Sequence, residues 1–180
     1  MALKMLSIED MNITGKTVFV RVDMNTPIDP KTGKLMEFNR IKEASVTIRD
    51  LKKSKVVVAS HQGRVGRNDF ISLEQHAEAL ANFLGYEVKF VDDIFGPTAR
   101  KKIDSLSIGE VLLLDNLRLS AEENKEFIPK DAAKTMLVQR LYKLFDACVL
   151  DSFPTAHRSC PSIVGFSELL PSCGGRIVEK

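Results

Sequence analysis

Short apolar runs alternate along this chain with longer stretches of helical spacing. The runs "TVFVRV" (17–22), "KVVVAS" (55–60), "EVKFV" (87–91), "EVLLLD" (110–115) and "ACVLDS" (147–152) are brief and rich in valine and leucine. Near-continuous apolar character of this length marks strands buried on both faces, as in a parallel sheet. Between them, residues 40–53 put Ile41, Ala44, Ile48 and Leu51 on one stripe, which predicts an amphipathic helix. Residues 72–85 open with Ser72 and Gln75 at capping-box spacing and close on Gly85, a predicted C′ residue. A short helix is predicted over 98–106. A longer one is predicted over 129–145, with Pro129 in its first turn where a missing N–H is harmless. Strand–helix–strand alternation implies right-handed crossovers and a three-layer, Rossmann-like α/β fold, a parallel β-sheet flanked by helices on both faces.

The apolar runs end in polar groups. "RVDMN" places Asp23 and Asn25 past the first strand, and "SHQGR" places His61, Gly63 and Arg64 past the second. "LLLDNLR" brings Asn116 and Arg118, and "VLDSFPTAHRS" brings His157 and Arg158. In an open parallel sheet the carboxyl ends of the strands lie on one edge, where ligands bind. Four segments would therefore deliver their polar groups to one rim, joined by Arg40 from the first helix. Guanidinium forks match the oxygens of phosphate and carboxylate in pairs. So many cations on one rim call for a small, multiply charged anion. A single arginine after a strand is ordinarily a solvated surface residue; the inference comes from the coincidence of several. His76 falls inside a predicted helix and is assigned a structural role.

The chain has 180 residues and a formal net charge of +2, so the cationic rim stands out against a nearly neutral background. At 44% hydrophobic and 28% charged, it suits one folded domain with a sizeable core. Three cysteines without a C-x-x-C pair suggest neither a disulfide framework nor a zinc site. Reduced thiols in a cytoplasmic protein are expected. No run of about 18 apolar residues occurs, so no membrane span is expected. Neither a G-x-x-x-x-G-K-[ST] loop nor a G-x-G-x-x-G fingerprint is present, which counts against a nucleotide site. A non-catalytic module that binds nucleic acid or another anionic partner through the arginine rim is the alternative reading.

Five ordered motifs, "FVRVDMNTP", "FNRI", "SHQGR", "EVLLLDNLR" and "DSFPTAHRSCPSIVGF", resemble those of the amino-terminal domain of phosphoglycerate kinase, in its archaeal form. The resemblance covers nearly the whole chain. It implies a phosphotransferase of glycolysis and gluconeogenesis that moves a phosphoryl group between ATP and the carboxylate of 3-phosphoglycerate, giving 1,3-bisphosphoglycerate. It implies that residues 1–173 are the substrate-binding lobe and that 174–180, "GGRIVEK", begin the hinge helix. A carboxy-terminal lobe that binds Mg-ATP would be absent, leaving no cofactor or metal site here and a fragment inactive alone. By the same resemblance the triose-binding residues are Asp23, Asn25, Arg40, His61, Arg64, Arg118 and Arg158. Arg40 is the catalytic one, nearest the transferring phosphoryl group. Arg64, Arg118 and Arg158 hold the 3-phosphate, while Asp23 and Asn25 orient hydroxyl and carboxylate. A monomer is expected, with an apolar patch near residues 160–180 where the missing lobe would pack. Met24, Thr26, Asp115, Leu119, Ser152 and Pro154 depart from the usual family residues, but none replaces a charged ligand group.

Overall fold

The computed structural model describes residues 6–155 and 157–179. Five predicted strands form within one or two residues of their expected bounds: β1 (Thr17–Val22), β2 (Lys55–Ala59), β3 (Val88–Val91), β4 (Val111–Leu114) and β5 (Ala147–Asp151). A sixth, β6 (Ser172–Gly174), was not anticipated from the sequence. It is three residues long and contains no β-branched residue, so it has no signature apart from its pairing with β5. All pairings are parallel, in the order β3-β4-β2-β1-β5-β6.

The helices are α1 (Asn39–Asp50), α2 (Glu74–Leu84), α3 (Pro97–Asp104), α4 (Pro129–Ala132), α5 (Met136–Leu141) and α6 (Pro161–Val164). The strand order and the right-handed crossover rule together fix which face each covers. From β1 to β2 to β3 the chain steps in one direction, and α1 and α2 pack on one face. Their Ile41, Ala44, Ile48, Ala77 and Leu80 meet Val18, Val20, Val56 and Val58. From β3 onward it steps the other way, and α3 and α5 cover the opposite face. There Ala99, Ile103, Leu137 and Leu141 meet Phe19, Val57, Leu112 and Leu114. Alternate residues of each strand thus enter two separate cores, which is the expected three-layer arrangement.

Two helix predictions need correction. The run 129–145 is not one helix: α4 ends at Ala132, and Thr135 is extended (φ −64°, ψ 156°) before α5 begins. The Thr135 hydroxyl donates to the Ala132 carbonyl at 2.6 Å, and the Glu122 carboxylate accepts from Met136 N at 2.9 Å, starting a new helix. The close approach of α6 needs Gly165, where a Cβ would lie 2.7 Å from the Pro161 carbonyl and 2.9 Å from that of Ala132. The second correction concerns α2, which starts at Glu74 without a capping box. Gln75 instead donates to the Gly33 carbonyl at 3.0 Å and accepts from Leu35 N at 3.4 Å, tying down the long loop 23–39. At the other end Gly85 (φ 80°) takes the left-handed conformation predicted for it.

Residues 175–179 form a single turn in which Val178 N and Glu179 N both donate to the Gly175 carbonyl. Beside it, Leu6, Leu150, Ile163, Cys173 and Val178 line an apolar groove of about 290 Å³. All three cysteines are buried and free. Among the described residues no helix is long and apolar enough to cross a membrane.

The second core centres on Phe19, whose ring lies 4.3 Å from Phe166 and 5.2 Å from Phe145. Phe166 is fully buried and attaches the segment after α6 to the sheet. Phe166→Ala is expected to lower unfolding free energy by about 3–5 kcal/mol, the usual cost of emptying a buried aromatic site. Urea denaturation of the two proteins, at unchanged m-value, measures it.

Candidate functional site

The strand ends β1, β2, β4 and β5 open on a common hollow. Asp23, Asn25, Arg40, His61, Arg64, Arg118 and Arg158, all seven candidates from the sequence, line one cavity of about 230 Å³, together with Gly63, Asp69, Pro154, Thr155 and His157. Its walls are overwhelmingly polar. The same three arginines Arg64, Arg118 and Arg158 also border a larger, open basin of about 700 Å³ with Val65, Leu119, Ala121 and Asn124.

Backbone hydrogen bonds splice the loops at the strand ends. Met24 N donates to Ser60 Oγ at 3.0 Å, joining the β1 and β2 ends. Asn25 accepts from Gly63 N at 2.8 Å, so its carbonyl oxygen fixes the loop that carries Arg64. Gly63 has φ 65°, and a Cβ there would fall 2.1 Å from the Asp69 carbonyl oxygen. Only glycine allows the turn. Asn116 is structural too: it accepts from Gln62 N at 3.2 Å and donates to the Gln62 and Ile71 carbonyls at 2.7 and 2.9 Å. Arg118 donates to the Gly63 carbonyl.

Four guanidinium groups face two carboxylates in this hollow. Asp23 is buried and pairs with Arg40 at 2.7 Å, while its other oxygen accepts from Asn25 N at 2.9 Å. Asp69 accepts from Arg64 N at 3.3 Å. Arg64, Arg118 and Arg158 form no ion pair among the described residues. Burial, and then the neighbouring charges of Arg158, Arg64 and Arg21, push the Arg118 pKa down. An anion here would meet guanidinium charges that have no carboxylate partner among the described residues.

His61 is neutral in this setting. Burial, then the charges of Arg21, Arg118, Arg158 and Arg40, push its pKa down to about 2. His76, read from the sequence as structural, is fully buried on α2 and is held at 3.1 Å from Gln62 Oε1. The Gln62 amide donates to the Thr26 and Asp69 carbonyls, so its oxygen is the acceptor and His76 Nε2 the donor. Burial pushes the pKa of His76 down to about 4.

Three contributors escaped the sequence reading. Gln62, fully buried, connects Thr26, Asp69 and His76 behind the rim. Asp69 enters from the loop after Arg64. Arg21, 2% exposed within β1, touches His61 from below. Its signal was available: a lone charge in the otherwise apolar run "TVFVRV".

A family model described as phosphoglycerate kinase matches residues 8–180. The chain belongs to the phosphoglycerate kinase family. It is 51% identical over 175 residues to the phosphoglycerate kinase of Sulfurisphaera tokodaii, covering 96% of this chain and 42% of that protein. With the phosphoglycerate kinase of Methanobacterium bryantii it shares 46% over 182 residues, covering 100% of this chain and 44% of the other. The crystal structure of phosphoglycerate kinase from Pyrococcus horikoshii superposes with a TM-score of 0.94 at 44% identity, over 97% of this chain and 43% of that one. The structure from Coxiella burnetii gives 0.79 at 29% identity, over 98% and 43%. The fold expected from the family resemblance is thus the fold found. The chain spans less than half the length of the phosphoglycerate kinases it matches.

The two depressed histidines give a pH dependence of definite sign. Unfolded, each binds a proton near pH 6.5; folded, His76 does so near 4 and His61 near 2. Above about pH 6.5 neither state holds the proton, and stability is at its plateau. Below it the unfolded state takes up protons that the folded state refuses. Stability is expected to fall by roughly 1–3 kcal/mol per pH unit between about pH 6 and pH 4. Urea midpoints across that range measure the slope, and His76→Gln should make it shallower.

Proposed function

We propose that this chain is the 3-phosphoglycerate-binding part of a phosphoglycerate kinase, and that the cavity at the ends of β1, β2, β4 and β5 receives that substrate. One observation carries the reading: seven residues from five separate segments, chosen from the sequence, line a single hollow that holds more cation than anion. Arg64, Arg118 and Arg158 have no ion-pair partners among the described residues and are the natural ligands of the phosphate end. Asp23, Asn25 and Arg40 line the same hollow and take the glycerate hydroxyl and carboxylate end. By the family resemblance, Arg40 is the charge nearest the phosphoryl group in transfer.

The chemistry suits these groups. A carboxylate is already ionised at neutral pH, so attack on a phosphoryl group needs no general base. His61 stays neutral at all working pH values. Rate then derives from holding the acceptor in line and from stabilising charge on the oxygens in flight. The rim does not fit a magnesium nucleotide. Its carboxylates, Asp23 and Asp69, are engaged by Arg40 and the Arg64 backbone, and arginines dominate the remaining wall. Mg-ATP would be held by a part of the full-length enzyme that this chain does not span, packed against the apolar groove beside residues 175–179.

Calorimetry with 3-phosphoglycerate tests the site. Arg118→Ala is expected to weaken binding about ten- to a hundredfold, the worth of one hydrogen bond to a charged group. Changing Arg40, Arg64, Arg118 and Arg158 together to alanine should abolish it; retained binding would place the substrate elsewhere. A rim built for nucleic acid would instead ignore the triose and lose affinity steeply with salt. Purified alone, the chain is expected to form no 1,3-bisphosphoglycerate from 3-phosphoglycerate and ATP in a coupled assay.

A further inference from the structure

We infer that Arg21 is a positioning residue that fixes His61 as the Nε2–H tautomer, so that the ring presents a rigid, uncharged donor to the anion cavity. Ser162 and Glu123 hold Arg21 in that orientation. The use made of the donor rests on the substrate-binding reading above, but the assignment of the tautomer does not.

The direction of every proton follows from donor chemistry. A guanidinium donates and never accepts. Arg21 Nη2 lies 3.1 Å from His61 Nδ1, so that nitrogen must carry the lone pair and Nε2 the hydrogen. With Nδ1 protonated, two N–H groups would point at each other. Arg21 Nε donates to Ser162 Oγ at 2.8 Å, which commits the serine's own proton to its other partner, Glu123 Oε1. Glu123 also accepts from Ser162 N at 3.0 Å. The third direction is taken by the Val22 carbonyl, which accepts from Arg21 Nη1.

Burial shows that the arrangement is held from below. Arg21 is 2% exposed, Glu123 7% and Ser162 fully buried, and no ion pair to Arg21 occurs among the described residues. Its charge is answered only through the serine. A buried cation in the middle of an apolar strand is costly, and an aliphatic side chain would serve the sheet better. His61 lines the cavity, and its Nε2 has no partner among the described residues. The charged groups facing the ring are Arg21 from β1, Arg40 from α1, and Arg118 and Arg158 from the loops after β4 and β5; burial first, and then these charges, keep it neutral. The Asp23 carboxylate on the same wall is already held by Arg40. Beside the charged arginine forks, one neutral donor of fixed direction can set where the anion's oxygen lies.

Nitrogen-15 NMR of the histidine-labelled chain, without any ligand, tests the assignment. His76→Gln and His157→Ala identify the other two rings. The expected wild-type result is an unprotonated Nδ1 and protonated Nε2 on His61, unchanged from about pH 5 to pH 8. A protonated Nδ1, or an imidazolium appearing in that range, overturns the proposal whether or not any variant folds. In Arg21→Met the ring should populate both tautomers. Arg21→Lys, which keeps the charge but loses the fixed planar fork, should fall between. A His61 signal identical in a folded Arg21→Met protein also overturns it. Addition of 3-phosphoglycerate should then shift Nε2 and leave Nδ1 in place. Failure of that last step alone, with the tautomer as expected, counts against the substrate and leaves the role of Arg21 standing.

Discussion

Repulsion among like charges is what this fold must contain. Arg40, Arg64, Arg118 and Arg158 converge on one hollow above a fifth arginine, buried Arg21, with only Asp23 and Asp69 to offset them. Each close pair of unit charges costs on the order of 1 kcal/mol even in water, and more where the wall excludes it. Charge pairing does not answer this, because among the described residues one ion pair alone lies within the cavity. Neutral hydrogen bonds answer it instead. Met24 to Ser60, Gly63 to Asn25, and Asn116 to Gln62 stitch the loops after β1, β2 and β4 to one another, which holds the loops that carry Arg64 and Arg118 in place.

Those loops can be stitched because the sheet delivers them side by side. The order β3-β4-β2-β1-β5-β6 puts the ends of β4, β2, β1 and β5 in an unbroken row. The chain steps one way from β1 and later returns past it, with right-handed crossovers sending α1 and α2 to one face and α3 and α5 to the other. No helix covers the row of strand ends between them. Handedness and strand order therefore create the vacant edge, and the loops only furnish it.

This explains what could be read in advance. Apart from Arg40, which stands at the start of the first helix, the rim residues were legible because they follow apolar runs, and a parallel sheet allows such ends to gather on one side. What escaped depends on partners far along the chain. The helix over 129–145 breaks where Glu122 starts a new one at Met136, and the Ser72–Gln75 box fails because Gln75 binds the loop at Gly33 and Leu35. The three residues of β6 have no pattern of their own. Arg21 was visible as an anomaly in its strand, but its meaning lies in His61, forty residues away, and Ser162, further still.

The edge that carries the rim also holds the last turn of the chain. Asp151, the final residue of β5, is fully buried and binds three groups: its Oδ1 accepts from Ile177 N at 2.8 Å and Val178 N at 3.3 Å, and its Oδ2 accepts from the Thr47 hydroxyl. Thr47 in turn accepts from Arg176 N at 3.0 Å. A Cβ at Gly175 would sit 2.5 Å from the Asp151 carboxyl carbon, so glycine is what lets the turn come this close. The next residue, Ser152, opens the loop that carries Arg158. One buried carboxylate thus anchors the turn at residues 175–179 to the strand that supplies an arginine of the cavity. Outside, Arg176 pairs with Glu9, Asp50 and Glu179, but it does so at an exposed surface where ion pairs contribute little. The buried carboxylate, with its partners all neutral donors, is therefore the stronger of the two attachments.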